Sequence, residues 1–139
     1  MKNRSALLLK EHGLRVTSFR DKVLQLFLEA GSTALSNSDI EQHFEKVDRI
    51  TLYRTLRTFE KKGFIHQVID NSNTPKFASC SDYCTEQHHH DDHAHFHCVE
   101  CEKTVCFEDT SLPTVKIPSG FMVNKKHMVL SGTCDVCSK

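Results

Sequence analysis

Apolar residues recur at three- and four-residue spacing from Phe19 through Val23, Leu26 and Phe27 to Ala30, which is the repeat of an amphipathic helix. Thr17 is placed to cap its first turn, and Gly31 stands just past its end. Ser36 with Asp39 three residues on resembles a capping box, a shorter acid standing in for Glu. It opens a second helix that buries Ile40 and Phe44. A third is predicted from Asp48 to Gly63, with Leu52, Leu56 and Phe59 on one face and Ile50, Arg54, Arg57 and Lys61 on the other. After Gly63 the period shortens. Phe64 to Ile69 reads as a strand, Asp70-Asn71-Ser72-Asn73 as a turn, and Lys76-Phe77-Ala78 as the returning strand. Helix, helix, helix, hairpin is the order of a winged helix, whose third helix can lie in the major groove of DNA with its basic face outward.

Charge supports that division weakly. Residues 1 to 76 hold 13 Lys or Arg against 9 Asp or Glu, and residues 77 to 139 hold 5 against 9, so a zero net charge conceals a +4 half and a −4 half. A basic half suits a polyanionic partner, although a difference of this size is also ordinary for a solvated surface. No apolar run is long enough to span a membrane. The Ala6-Leu7-Leu8-Leu9 run ends at once in Lys10-Glu11, too brief for a signal-peptide core, which places the chain in the cytoplasm and predicts no membrane partner.

The second half carries the chemistry. Seven cysteines and ten histidines occur in 139 residues. In a reducing compartment paired cysteines read as metal ligands before they read as disulfides. Cys98-Val99-Glu100-Cys101 and Cys134-Asp135-Val136-Cys137 each put two thiolates on one tight turn, and two such turns make the tetrahedral cage that structural zinc accepts. Zinc held this way contributes on the order of 10 kcal/mol to folding a small domain. Between the halves runs a segment dense in ligands, from Cys80 through Cys84, His88, His89 and His90 to His97. In a strand alternate residues share a face, so His93, His95 and His97 can project together with Phe96 opposite. The triplet His88-His89-His90 reads as part of an acidic, histidine-rich linker.

Three stretches carry a more specific resemblance: Gly13-Leu14-Arg15-Val16-Thr17, Asp48-Arg49-Ile50-Thr51-Leu52-Tyr53-Arg54-Thr55-Leu56, and Glu60-Lys61-Lys62-Gly63-Phe64-Ile65-His66. Together with the paired cysteines they resemble the ferric uptake regulator family, closest to its zinc uptake regulator type. The resemblance implies an α+β protein: a winged helix with its wing over residues 1–79, a hinge rich in His, Cys and acid over 80–92, and a small α/β dimerisation domain over 93–139 with the four-cysteine zinc site. It implies a homodimer that binds double-stranded operator DNA when its regulatory metal is bound, and that takes no small-molecule substrate. Tyr53 and Arg54 would contact base and phosphate, with Thr51 and Arg57 on the same helix, and Arg15 would approach an adjacent minor groove. The regulatory ligands it implies are His93 and His95, joined in the zinc-sensing members by Cys80 at the end of the wing and His66 at its start. Three nitrogens and one sulfur suit zinc, whereas iron and manganese sites lean on carboxylate oxygen.

Departures from the family pattern are also legible. Thr110 to Pro118 is too short and too rich in proline for the helix that joins the strands of the family's second domain. Cys106 stands where an acidic regulatory ligand is common, and Ala34 where many members supply a histidine. Cys84, Cys106, Glu108 and His127 are candidates for a further site, against which Cys106 reads as a buried small apolar residue and His127 as a surface histidine. Among rival functions, a zinc deaminase would need His-x-Glu and a later Pro-Cys-x-x-Cys, which the sequence lacks. A metal buffer leaves the winged helix unexplained, and an iron- or peroxide-sensing member of the same family would favour histidine and carboxylate at the regulatory site.

Overall fold

The computed structural model describes residues 2–70, 72–79, 93–124 and 126–139. The predicted hinge, 80–92, therefore lies outside the described residues, and with it Cys80, Cys84 and His88, His89 and His90. The element order is α1 (Lys2–Glu11), α2 (Ser18–Ala30), β1 (Leu35–Ser36), α3 (Asn37–Glu41), α4 (Arg49–Lys62), β2 (Ile65–Val68), β3 (Lys76–Ser79), β4 (His93–Cys98), β5 (Thr104–Ser111) and β6 (Val129–Gly132).

Local chemistry sets the helix ends. The Thr17 hydroxyl accepts the Arg20 N–H at 3.1 Å at the start of α2. Ser36 and Asp39 exchange the two bonds of a capping box, at 3.1 and 2.9 Å, at the start of α3. The Asp48 carboxylate accepts the Ile50 N–H at 3.0 Å at the start of α4. That helix ends on Gly63 at φ +86°, a left-handed cap that costs glycine nothing. Helix α3 is shorter than its apolar spacing suggests, ending at Glu41, and Phe44 packs from the turn that follows. α1, β1, β5 and β6 are additions to what the sequence pattern predicts.

Two three-stranded sheets follow. The first has the order β1-β3-β2 and is antiparallel, pairing His66 with Ala78 and Val68 with Lys76. The second has the order β5-β4-β6, with β4 antiparallel to β5 and parallel to β6; it pairs His95 with Cys106 and His97 with Thr104. The main core, around Leu24, Phe27, Ile40, Leu52 and Phe59, draws on α1 to α4 and the first sheet, and among the described residues its last member is Phe77. Residues 112–128 form no helix or strand among those described, and the described residues of the second half contribute strands and turns.

The two sheets meet at a seam. Ala34 N–H donates to Thr104 O at 2.8 Å and Cys106 N–H to Ser32 O at 2.9 Å, so the loop after α2 extends the edge of β5. A small apolar cluster of Ala34, Val68, Ala78 and Cys106 fills the space between the sheets.

Candidate metal centres and nucleic-acid interface

Cys98, Cys101, Cys134 and Cys137 lie together, every pair of sulfurs within 4.8 Å. Cys98 closes β4, and Cys134 follows β6, which runs parallel beside β4, so strand pairing brings the two turns together. None of the described cysteines is in a disulfide. The Cys101 and Cys134 sulfurs stand 3.8 Å apart, and a tetrahedron of thiolates about 2.3 Å from zinc has edges of about 3.8 Å. The donor set therefore fits zinc in both type and spacing.

Backbone amides prepare these sulfurs for a cation. Cys98 Sγ accepts the N–H of Cys101 at 3.5 Å and of Cys134 at 3.3 Å, and Cys134 Sγ accepts the Cys137 N–H at 3.5 Å. The Cys101 amide, against the opposing effect of burial, holds the Cys98 thiol down to about 6, with the Cys134 amide helping. Cys134 is lowered as well, chiefly by the Cys137 amide. Cys137 is pushed up to about 12, first by its bond to the Cys134 side chain and then by burial. Without a cation the four sulfurs cannot all ionise, because each new negative charge holds the remaining protons in place.

A second cluster sits in the seam. His66 of β2, His95 of β4 and Cys106 of β5 are all buried, and one ligand atom from each lies within 4.8 Å of the others. Cys106 Sγ is 3.4 Å from His66 Nε2, and the two imidazoles stack with centroids 6.0 Å apart. Two nitrogens and a sulfur at this spacing fit a tetrahedral zinc, whose N–S edge is about 3.6 Å.

Of the regulatory ligands expected from sequence, the structure brings His66 and His95 together. His93 opens β4 beside an irregularity in its pairing with β5; its side chain, like Cys80, lies outside the described residues. The third member is Cys106, which the sequence offers as a candidate for a further site and, alternatively, as a buried small apolar residue. It is buried, as a small apolar residue would be, yet its sulfur faces two imidazoles. The signal available in the sequence was its position, where relatives commonly carry an acidic ligand. His97 parts company with His95 and reaches Thr104 and Asp70 instead. His127 is exposed, and the Glu108 side chain is outside the described residues.

In the winged helix, Arg15, Arg20, Thr51 and Arg54 line a cleft of about 360 Å³ between the turn before α2 and the first turns of α4. Arg20 is a residue the sequence reading passed over, and its guanidinium donates to the Arg15 carbonyl at 3.0 Å. Thr51, Tyr53, Arg54 and Arg57 are exposed on α4, Tyr53 at 59 %. Arg57 is drawn toward Glu60 at 3.4 Å. An exposed aromatic ring beside exposed cationic groups on one helix, flanked by a basic cleft, is suited to a phosphate backbone and base edges.

Comparison with known proteins agrees with this architecture. The family model for the ferric uptake regulator family matches residues 11–130. The ferric uptake regulation protein of Klebsiella pneumoniae is 31% identical over 134 residues, covering 91% of this chain and 81% of that protein. The peroxide operon regulator of Bacillus subtilis is 29% identical over 140 residues, covering 94% and 89%. A solved zinc uptake regulator in complex with zinc and DNA has the same fold, with a TM-score of 0.60 at 19% identity, covering 99% of this chain and 92% of that one. The chain belongs to the ferric uptake regulator family of metal-responsive transcription regulators.

Proposed function

We propose that this chain is a zinc-sensing repressor that binds operator DNA as a homodimer. Its winged helix, 1–79, reads DNA; residues 80–92 form the hinge; 93–139 pair with a second copy. Cys98, Cys101, Cys134 and Cys137 hold a structural zinc, and the regulatory zinc is held by His66, His95 and Cys106 with Cys80 and His93 from the sequence reading. The observation that carries this is the buried convergence of two imidazoles and a thiol from β2, β4 and β5. The sulfur favours zinc, because iron sites lean on oxygen and nitrogen. Zinc bound there supplies a cross-link between the wing and the second sheet.

The chain's own residues make that cross-link a switch. The donor set is complete only when β2 lies against β4 and β5, so occupancy of the set and the closed arrangement stabilise each other. Closure fixes where α4, Arg15 and Arg54 stand relative to the second domain, and so relative to the second winged helix of a dimer. Arg54 and Arg15 then hold phosphate and groove, while Tyr53 contacts a base.

The test is operator binding by protein stripped to its four-cysteine zinc and titrated with zinc. A coupling of about 3 kcal/mol raises DNA affinity somewhat over a hundredfold. Cys106→Ser and His66→Ala should each lose that response and keep one zinc per chain. If both variants respond like the parent, the sensing ligands lie elsewhere. An iron sensor is the second reading, favoured by relatives named for ferric uptake and peroxide regulation. Activation by ferrous iron at lower free concentration than by zinc would establish it instead.

A further inference from the structure

Alternation along four strands extends the seam beyond the metal cluster. On β2 and the turn after it, His66, Val68 and Asp70 are buried while Gln67 and Ile69 are exposed. Lys76 and Ala78 alternate on β3, His95 and His97 on β4, and Thr104 and Cys106 on β5, two residues apart in each case. One end of the seam holds His66, His95 and Cys106. The middle holds Val68 and Ala78 with Ala34. The far end holds a polar cluster that the metal reading does not use.

That cluster is centred on Asp70, whose side chain is 1 % exposed. Its carboxylate accepts Lys76 Nζ at 2.7 Å, the Ser72 hydroxyl at 2.6 Å and N–H at 2.9 Å, and the Thr104 hydroxyl at 2.5 Å. His97 Nδ1 stands 3.6 Å from the carboxylate and 3.1 Å from Thr104 Oγ1. Lys76 Nζ also reaches Thr104 Oγ1 at 3.0 Å and the Glu102 carbonyl at 3.4 Å. Asp70 and Lys76 belong to the wing; His97 and Thr104 belong to the second sheet, and Glu102 to the turn between β4 and β5. A buried carboxylate needs a cation and donors; the wing supplies Lys76 and Ser72, and the second half of the molecule completes the set with the Thr104 hydroxyl.

We propose that Asp70, Lys76 and Thr104 form a constitutive clamp across the same joint that the regulatory metal closes, with the Lys76 ammonium as its resident cation. Asp70 and Thr104 are positioning residues: they keep the wing against β5 when the His66 site is empty, so that metal acts on a joint already partly closed. The clamp does not depend on which ion the protein senses.

Hydrogen exchange tests this on protein that keeps the four-cysteine zinc while a weak chelator empties the His66 site. The reporters are the Ala34 and Cys106 amides, whose bonds cross the seam; amides inside α2 are the reference. In Thr104→Val, exchange at Ala34 and Cys106 should rise roughly tenfold to a hundredfold, the range for losing a hydrogen bond to a buried charge, while α2 is unchanged. Asp70→Asn should act in the same direction, and Thr104→Ser should restore the parent rates because it keeps the hydroxyl. Zinc-saturated operator binding by Thr104→Val should weaken several-fold at unchanged zinc stoichiometry. Unchanged seam exchange in Thr104→Val and Asp70→Asn overturns the proposal. So does an equal rise in α2, which would mean general loss of stability. Failure of the metal reading would show separately, as seam exchange in the parent that is indifferent to added zinc.

Discussion

Replacing Cys98 by serine should separate the two halves of this protein in stability. Cys98 is fully buried and its sulfur accepts two backbone amides, from the turn it opens and from the turn at Cys134. The second half has little else to hold it. Among its described residues the buried apolar ones are Ala94, Cys98, Cys106 and Cys134, whereas Phe121 and Met122 are 71% and 91% exposed. Burial of four such small side chains contributes on the order of 5 kcal/mol, whereas a structural zinc contributes on the order of 10 kcal/mol or more. Cys98→Ser therefore removes the larger share, while the winged-helix core, which ends at Phe77, keeps all of its own contacts. Elemental analysis should find one zinc fewer per chain, and the amides of β4 to β6 should exchange at rates approaching those of an unfolded chain. Those of α2 and α4 should stay protected. Val99→Ala, an exposed residue of the same turn, should change none of this. A Cys98→Ser protein that retained its zinc and its β4 to β6 protection would refute the assignment of the cage as the fold's staple.

Two further outcomes follow from other parts of the molecule. Arg54→Ala should weaken binding to specific and nonspecific DNA alike and lower the salt slope by about one phosphate contact, whereas Tyr53→Phe should act mainly on sequence preference; unchanged affinity and slope in both would remove α4 as the reader. Burial alone would raise the Asp70 carboxyl, but the bonds from Lys76, Ser72 and Thr104 outweigh it and hold the group well below the usual carboxylate range. A depressed carboxylate contributes stability above its unfolded value of about 4 and loses it only as pH falls through the lower folded value. The difference in denaturant stability between the parent and Asp70→Asn should then be flat from pH 8 to 5. With Lys76 and His97 the other ionisable groups facing Asp70, a difference that varied across that window would assign the effect to a histidine.

Much of the fold was legible because its signals are local. Thr17, Ser36, Asp48 and Gly63 announce helix ends through bonds within three residues of themselves, and the structure has those bonds. The paired cysteines were legible for the same reason, each turn being a local motif. What escaped was joined over distance. Cys106 meets His66 across 40 residues, and Thr104 meets Asp70 across 34. Asp70 carried a strong local signal as a turn former, and that use is real: it accepts the Ser72 N–H. The second use, toward Thr104 and Lys76, depends on how two sheets face one another, and no window of sequence contains that. β1 escaped because two residues are too few to carry a period.

The position of Cys106 is itself set by backbone, which bears on how such a site can switch. Its amide bonds to Ser32, and Thr104 two residues before it accepts the Ala34 amide, so β5 is tied to the loop after α2, while His66 of β2 reaches the Cys106 sulfur. Ala34, where the family resemblance leads one to expect a histidine, instead contributes a methyl group to the apolar middle of the seam. That methyl supplies no ligand and helps to keep the space between the sheets free of polar side chains. A joint built this way closes on three terms of different kind: a polar clamp at Asp70, apolar contact at Val68 and Ala78, and a donor set at His66, His95 and Cys106. The first two are present whatever the metal supply, and only the third varies with it. A switch needs the variable term to be comparable with the imbalance left by the constant ones. Weakening the clamp through Thr104→Val should therefore shift the zinc concentration for half-maximal operator binding upward. If Thr104→Val left that midpoint where it is in the parent, the clamp and the metal would not be acting on one joint.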